Sequence, residues 1–549
     1  MSPIDAPSDS GRWFAAFRSA KAAFSRLRGA IGSALNSSFL IPHGSFFVLL
    51  LLLLIVRSSM FRDPGTFWHV ACGQRMLDEG RVIRQDPFSF TRAGAPWVAD
   101  QWLAECGMAL VHRLAGWDGL LLLWAAVLAG TYAWLAGRLT VGGLHVLPAL
   151  LLTGLALMAG SPQFHVRPLV FSIGLLGLTF AWLVDVEAGR KPAAGLWWLV
   201  PLFVLWTNLH GGALAGMATA SFCLAGWSAA HVCGAAVPVA SAGETPAPQR
   251  RASETPAPPP NLFLLAPLLV TLLAAVLVNP YGAALPREWL ETIAMPLPSL
   301  IEEHGPLKFH EPVAWATVAL GLGYAAALLS TLPGRPRVVW LLPLAWLVLA
   351  IARVRFAALF AVTAVVATAD MLPSSLLGRW LRGRGMLAGR PSPTGGRWLI
   401  LPLVVVGAAL ASQMAGLDVA RLGRGPTPFD EARWPTALLP DLNVIATAPA
   451  SAAGVPVFND LLFGGFLIYH QPRLRVFIDD RCPLYGTDFL MAYDRARRAD
   501  PAQIDRWRRQ YGFHHALVEA GGRFDQYLST ARGWSVVRRS AAAALYQHQ

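Results

Sequence analysis

Residues 62–105 read RDPGTFWHVACGQRMLDEGRVIRQDPFSFTRAGAPWVADQWLAE, a polar stretch between two long hydrophobic runs. It carries acid, base, amide and indole groups in a chain otherwise built largely of Leu, Ala and Val. Asp63-Pro64 predicts a helix start. Asp accepts hydrogen bonds from the free N–H groups of a first turn, and Pro at the first helical position leaves no N–H unpaired. Phe67, Val70, Ala71, Gln74 and Leu77 then recur at helical spacing, and Gly80 ends the segment. With Trp68 and His69 beside that stripe, the pattern predicts a short amphipathic helix along a membrane surface. A turn-rich piece from Asp86-Pro87-Phe88-Ser89 leads on to Trp97 and to Trp102 and Glu105.

The runs flanking this stretch, at 46–56 and 120–135, are membrane-grade. Across 549 residues the chain is 55% hydrophobic and 14% charged, with mean hydropathy +0.46. That composition makes it a polytopic membrane protein. A net charge of +13 would point to nucleic acid in a soluble chain. Here the basic residues cluster between spans and no basic-plus-aromatic groove pattern occurs, so they read as orientation signals. The five cysteines form no CxxC and no zinc spacing. Cys223 and Cys233 read as packing residues in a hydrophobic span. Spacing alone leaves open whether Cys72 and Cys106 pair.

Eleven spans are expected, at about 41–60, 117–137, 143–160, 168–186, 195–209, 212–233, 261–279, 313–331, 338–353, 356–372 and 398–414. The short span at 195–209 and its neighbour read as a broken or re-entrant pair across Asn208–Gly212, where Gly211-Gly212 interrupts the helix. Residues 1–40 form a basic amphipathic N-terminus expected on the cytoplasmic side. That placement puts Arg138, Arg190-Lys191, Arg250-Arg251, Arg335 with Arg337, and the basic cluster at 379–397 all inside. The first outer loop, 61–116, and the tail at 415–549 then fall outside. Within the membrane domain at 41–414, residues 234–260 hold too few large apolar side chains to order, so a disordered cytoplasmic linker is expected. In the tail, strands at 455–458, 475–478, 515–518 and 543–546 alternate with helices at 488–498 and 501–510, the pattern of a small α/β domain.

In that topology the unusual polar residues collect on the outer side: Asp63, His69, Asp86, Glu105, His165, Arg167, Asn208, His210, Asn279, Tyr281, Glu302 to His304, Arg353 and Arg355. Ionisable groups at span ends commonly snorkel, but gathering on one face predicts a charged aqueous cavity there. Competing readings stay open. Asp63 serves as a helix cap, a catalytic acid or both. Trp68, Trp97 and Trp102 suit interfacial anchors or sugar platforms. Asn208 and His210 either satisfy backbone freed by the helix break or bind a ligand. Asp479-Asp480-Arg481 reads as a turn with local ion pairing, with metal binding as the alternative.

The pattern DP-x-TFWH…G…DPFSFT…W…QWLAE after the first span resembles the first outer loop of bacterial membrane proteins grouped with the GT-C superfamily of integral-membrane glycosyltransferases. LWTNLHGG, NPYG, IEEHGP, ARVRF and FNDLLFGGFLIY…VFIDDRCPLYG are similar to later pieces of an uncharacterised branch of that group. The resemblance runs from about residue 60 to the C-terminus without the linker. It implies a GT-C-like helical membrane domain of about eleven spans, a C-terminal soluble α/β domain, and transfer of sugar from a polyprenyl-phosphate donor in the outer leaflet. The early acid of that family would be Asp63. The family pattern has a second acid two positions on, where this chain has Gly65, which leaves Asp86 or Glu105 as its partner.

Transfer from a lipid phosphate needs a base at the acceptor hydroxyl and cations at the departing phosphate. Asp63 is the expected base, supported by His69, Asp86 and Glu105. Arg353, Arg355 and Arg167 are the expected phosphate ligands, guanidinium forks being suited to phosphate oxygens. Trp68, Asn208, His210, Asn279 and Tyr281 are the expected sugar or acceptor contacts. A divalent metal is left open. The expected partners are the lipid donor, a glycan, lipid or protein acceptor, and the membrane, with no nucleic acid. The expected location is a bacterial inner membrane, with the C-terminal domain in the periplasm. A lipid-linked glycan polymerase, ligase or flippase and a non-catalytic envelope scaffold are the competing classes, since a fold hosts varied functions.

Overall fold

The structure, a computed structural model, describes residues 40–232, 262–295, 302–332, 334, 336–387, 400–417, 429–447 and 454–549. The expectations for residues 1–39 and for the linker at 234–260 lie outside these residues.

The apolar runs form helices in chain order: α1 (Leu40–Ile55), α2 (Gly65–Glu79), α3 (Trp102–Val141), α4 (Val146–Gly160), α5 (Leu169–Glu187), α6 (Leu199–Leu209) and α7 (Ala213–Val232). After the linker come α8 (Leu262–Ala275), α9 (Ala284–Ala294), α10 (Pro312–Leu329), α11 (Leu342–Ala352), α12 (Ala357–Met371), α13 (Leu376–Gly383) and α14 (Ile400–Met414). Among the described residues, 6 helical segments are long and apolar enough to cross a membrane, and the other expected spans fall on shorter apolar helices. The molecule is a polytopic helical membrane protein.

At its centre is α12, buried along its length except at Asp370. Its sequence AALFAVTAVVATADM is rich in small residues, which lets α3, α4, α5, α10 and α11 all pack against it. Helix α3 changes direction at Gly116, whose φ of 64° suits glycine. Its first part leans on α2, and its second part is the expected span. Between α6 and α7, His210 is extended and Gly211-Gly212 turn, so the expected break occurs there.

At one end of the bundle the basic residues from the loops are paired. Asp185 accepts from Arg138 at 2.9 Å and Arg190 at 2.8 Å, while Asp370 accepts from Arg190, Arg337 and the Trp340 indole. The opposite end, where Arg167 precedes α5, meets the outer stretch and the tail.

The tail adds α15 (Leu439–Thr447), β1 (Val455–Asn459), α16 (Leu461–His470), β2 (Leu474–Val476), α17 (Cys482–Arg498), α18 (Gln503–Tyr511), β3 (His515–Glu519), α19 (Arg523–Leu528), β4 (Trp534–Arg539) and β5 (Ala543–His548). Its sheet order is β2-β1-β3-β5-β4, with β1 parallel to β2 and β3 and the β3–β5 and β4–β5 pairs antiparallel. Phe458, Phe477, Trp507 and Phe513 stack in its core.

This domain is docked on the outer stretch. The N–H of Phe90 donates to Val476 at 3.1 Å and that of Val476 to Phe88 at 3.2 Å, so the stretch extends the edge strand β2. Helix α16 packs on α2 through Gly465, where a side chain would collide with the Pro64 carbonyl and the Trp68 ring. Phe67 fills the seam against Trp434 and Phe466. The surface-lying amphipathic helix expected of α2 is therefore corrected. Its apolar face is covered by protein while Arg75, Leu77, Asp78 and Glu79 stay exposed, and Trp68 and Trp97, 5% and 7% exposed, pack inside the protein.

Candidate active site

Asp63 ends the link before α2, and its Oδ1 accepts from the Gly65 N–H at 2.8 Å, the capping role its sequence position predicts. Its Oδ2 accepts from Arg167 Nη1 at 2.7 Å. The same guanidinium donates to Gln163 Oε1 at 3.0 Å and to Glu303. One arginine therefore ties the outer stretch to the end of α4 and to the loop before α10. Burial disfavours Arg167's charge, but the flanking Asp63 and Glu303 hold its pKa above the ordinary value. Burial likewise opposes the charge of Glu303, and Arg167 and Arg355 hold its carboxyl well below the usual range.

Beside this trio, Arg355 Nη1 donates to His304 Nε2 at 2.5 Å. Burial first, then Arg355, pushes His304 down to about 4, so it stays the neutral acceptor this bond requires. Arg353 has no ion-pair partner among the described residues. A cavity of ≈ 180 Å³ adjoins the cluster, with His165, Glu303, Lys308, Glu311 and Val354 in its wall.

His69, one turn into α2, hydrogen-bonds through Nδ1 to Glu105 Oε1 at 3.0 Å, and Glu105 is fully buried. Gly73 permits this pairing, since a side chain there would strike the Glu105 carbonyl. Burial, then Arg167 and His210, depresses His69 well below its ordinary value. Burial raises the Glu105 carboxyl well above its ordinary value, so the buried pair shares a proton between Nδ1 and Oε1, while His69 Nε2 lies on the side of Gly65.

Asp480, read from the sequence only as part of a turn with local ion pairing or metal binding, comes into contact with the first-loop residues. Its Oδ1 accepts from the Trp68 indole at 2.7 Å, across 412 residues of chain. A methyl group on Gly65 would meet Asp63 Oδ1 at 2.7 Å, Asp480 Oδ2 at 3.1 Å and His69 Nε2 at 3.5 Å. Two carboxylates and an imidazole thus converge on the Gly65 backbone. Burial, then Asp63 and Asp479, raises the Asp480 carboxyl well above its ordinary value. Gly65, having no side chain, leaves the space into which this second carboxylate reaches from another domain.

The remaining expected residues have other work. Asp86 accepts from Arg481 Nη1 at 2.8 Å and from the Phe88 and Ser89 N–H groups. Arg481 also forks onto Asp479 and lies between the Phe88 and Trp97 rings. This triad is the local pairing expected of Asp479 and Arg481, extended to Asp86. Asn208 accepts from the Trp102 indole at 2.8 Å and donates to the Val204 and Val278 carbonyls. Asn279 closes its own turn onto Tyr281, whose hydroxyl donates to Ile83 at 2.7 Å. These three side chains have their polar atoms consumed by the scaffold, and Trp68 is occupied in holding Asp480. His210 accepts the Gly212 N–H at 2.8 Å, satisfying the helix break, yet stands close enough to feel Arg355 and Arg167. Cys72 and Cys106 are free thiols. Among the described residues no three His, Cys, Asp or Glu side chains are grouped to hold a metal ion.

The chain matches no family model and no curated protein by sequence. It is similar in structure to the oligosaccharyltransferase of Archaeoglobus fulgidus tethered with an acceptor peptide, at TM-score 0.50 and 12% identity, over 87% of this chain and 69% of that one. The apo form of the same protein gives TM-score 0.50 and 12% identity over 88% and 69%. ArnT from Cupriavidus metallidurans bound to undecaprenyl phosphate gives 0.46 and 13% over 91% and 97%. At 12% identity the likeness to the oligosaccharyltransferase is one of fold, the GT-C-like fold expected from the sequence.

Proposed function

We propose that this chain transfers a sugar from a polyprenyl-phosphate-linked donor to an acceptor hydroxyl or amide at the outer face of a bacterial inner membrane. The observation that carries the reading is the convergence of Asp63, Arg167, Glu303, His69 and Arg355 at one end of a GT-C-like bundle. The N-terminus is then cytoplasmic and the C-terminal domain periplasmic.

In this reading Asp63 is the carboxylate that faces the acceptor, held in place by the Gly65 N–H and Arg167. Arg353 and Arg355 take the phosphate oxygens as the glycosidic bond breaks, and Arg167 adds its charge from behind Asp63. Preorganised guanidinium groups stabilise charge that develops on the departing phosphate and need no reorganisation to do so. His69 and His210, both held neutral, orient the acceptor or sugar. A single displacement at the anomeric carbon inverts its configuration.

The test is transfer from a panel of radiolabelled polyprenyl-phosphate sugars in reconstituted vesicles, wild type against Asp63→Asn. Asn keeps the cap to Gly65 but cannot pair with Arg167 as an anion. Transfer by wild type and its loss in a folded variant support the reading. Equal transfer by both removes Asp63 from the chemistry. No transfer from any donor favours the flippase or scaffold classes.

A further inference from the structure

The C-terminal domain does more than cover the outer stretch, because it delivers a carboxylate into it. We propose that Asp480 is a catalytic residue of the transfer, the group that takes the acceptor's proton, so that the active site is shared between two domains. This rests on the reading of the chain as a glycosyltransferase.

Three observations bear on it. Asp63 has both oxygens committed, one to the Gly65 N–H and one to Arg167. Asp480 Oδ1 accepts from the Trp68 indole, and no other side chain donates to this carboxyl among the described residues. Its Oδ2 is the oxygen beside Gly65, on the side of Asp63 Oδ1 and His69 Nε2. An acceptor hydroxyl at this edge has one proton to give, which goes to Asp480, while Asp63 stays bound to Gly65 and Arg167 as the positioning carboxylate. Proximity of two like charges in a poorly solvated site favours uptake of one proton by the pair, as it does in carboxylate dyads generally.

The step balances as follows. The acceptor O–H bond breaks and its proton goes to Asp480 Oδ2. The acceptor oxygen's electron pair forms the bond to the anomeric carbon, and the bond from that carbon to the phosphate oxygen breaks. Its electron pair leaves with the polyprenyl phosphate. Asp480 then returns the proton to water. Around Asp480 the charged and titratable groups are Asp63 and His69 from the outer stretch, Arg167 from the link before α5, and Asp479 and Cys482 from its own loop.

The test uses the full chain in vesicles with whichever radiolabelled donor the wild type accepts. Asp480→Asn keeps an oxygen for the Trp68 indole and should fold as wild type, with unchanged melting temperature and tryptic pattern. Its kcat should fall by about 10²–10⁴-fold, the usual range for general-base removal, with the donor KM unchanged. Asp480→Glu should restore part of the rate. The acid limb of the wild-type kcat profile should vanish from the residual activity of Asp480→Asn. Wild-type kcat in Asp480→Asn, or an unchanged acid limb, overturns the proposal and leaves the glycosyltransferase reading standing. If the wild type transfers from no donor, the reading fails and this proposal falls with it.

Discussion

Replacing Arg481 by Met tests whether the C-terminal domain is held to the outer stretch by charge. The guanidinium donates to Asp479 at 2.8 and 2.7 Å and to Asp86 at 2.8 Å, and its side chain is 1% exposed against 0% for both carboxylates. Met fills most of the slot between Phe88 and Trp97 but leaves two buried anions. They keep only Tyr485, Ser89 and nearby backbone N–H groups as donors. Stranding a buried charge by removing its partner costs about 3–5 kcal/mol. For a unit of this size that corresponds to a fall in melting temperature of roughly 6–20 °C, at about 2–4 °C per kcal/mol. Asp86→Asn keeps the turn to Phe88 and Ser89 while removing one of the anions. Added to Arg481→Met, it should recover part of the loss, a coupling of roughly 1–3 kcal/mol. The assay is thermal unfolding of the purified protein in detergent, with trypsin sensitivity of the C-terminal domain alongside. Arg481→Met melting with the wild type, or a strictly additive cycle, would refute the argument that buried charge pairing docks the domain.

Gly465→Val puts side-chain atoms against the Pro64 carbonyl and the Trp68 ring, and thermal unfolding should show a loss of about 1–3 kcal/mol with reduced transfer. Trp68→Phe removes the donor to Asp480 while keeping a ring; kcat should fall more than stability, as steady-state transfer assays against melting curves will show. Asp370→Leu breaks the pairing with Arg190 and Arg337 at the far end of the bundle, so melting temperature should drop while kcat at permissive temperature stays near wild type. His304 is held at about 4 against an unfolded value near 6.5, so the unfolded chain binds the extra proton first. Stability should therefore fall as pH drops from about 6.5 toward 4, and His304→Gln should flatten that slope in pH-resolved melts.

The sequence carried the membrane helices because a run of apolar residues has one solution in lipid and needs no partner to be recognised. The helix start at Asp63-Pro64 and the break at Gly211-Gly212 were legible for the same reason, since both are local backbone chemistry. Of the tail, four strands were readable and β4 was not. Trp534–Arg539 is exposed after its first residue, so no buried alternation marks it. The site was half legible. Asp63, Arg167, Arg355 and His69 gather at one end of the bundle. Asn208, Asn279 and Tyr281 did not join them, because a polar side chain at a helix end is as useful for closing a turn as for holding a ligand. The meeting of Asp480 with Trp68 and Gly65 was not legible, because it shares no sequence neighbourhood with them. Trp68 and Trp97, read as membrane anchors, are buried against protein, a distinction composition cannot make.

The 412 residues between Trp68 and Asp480, and the 395 between Asp86 and Arg481, also set an order of events in the cell. The stretch at 62–105 is synthesised early and stays incomplete until residues 480 and 481 have been made and folded onto it. In the two-domain reading a nascent or truncated chain lacks its proton acceptor and leaves the lipid donors it meets untouched.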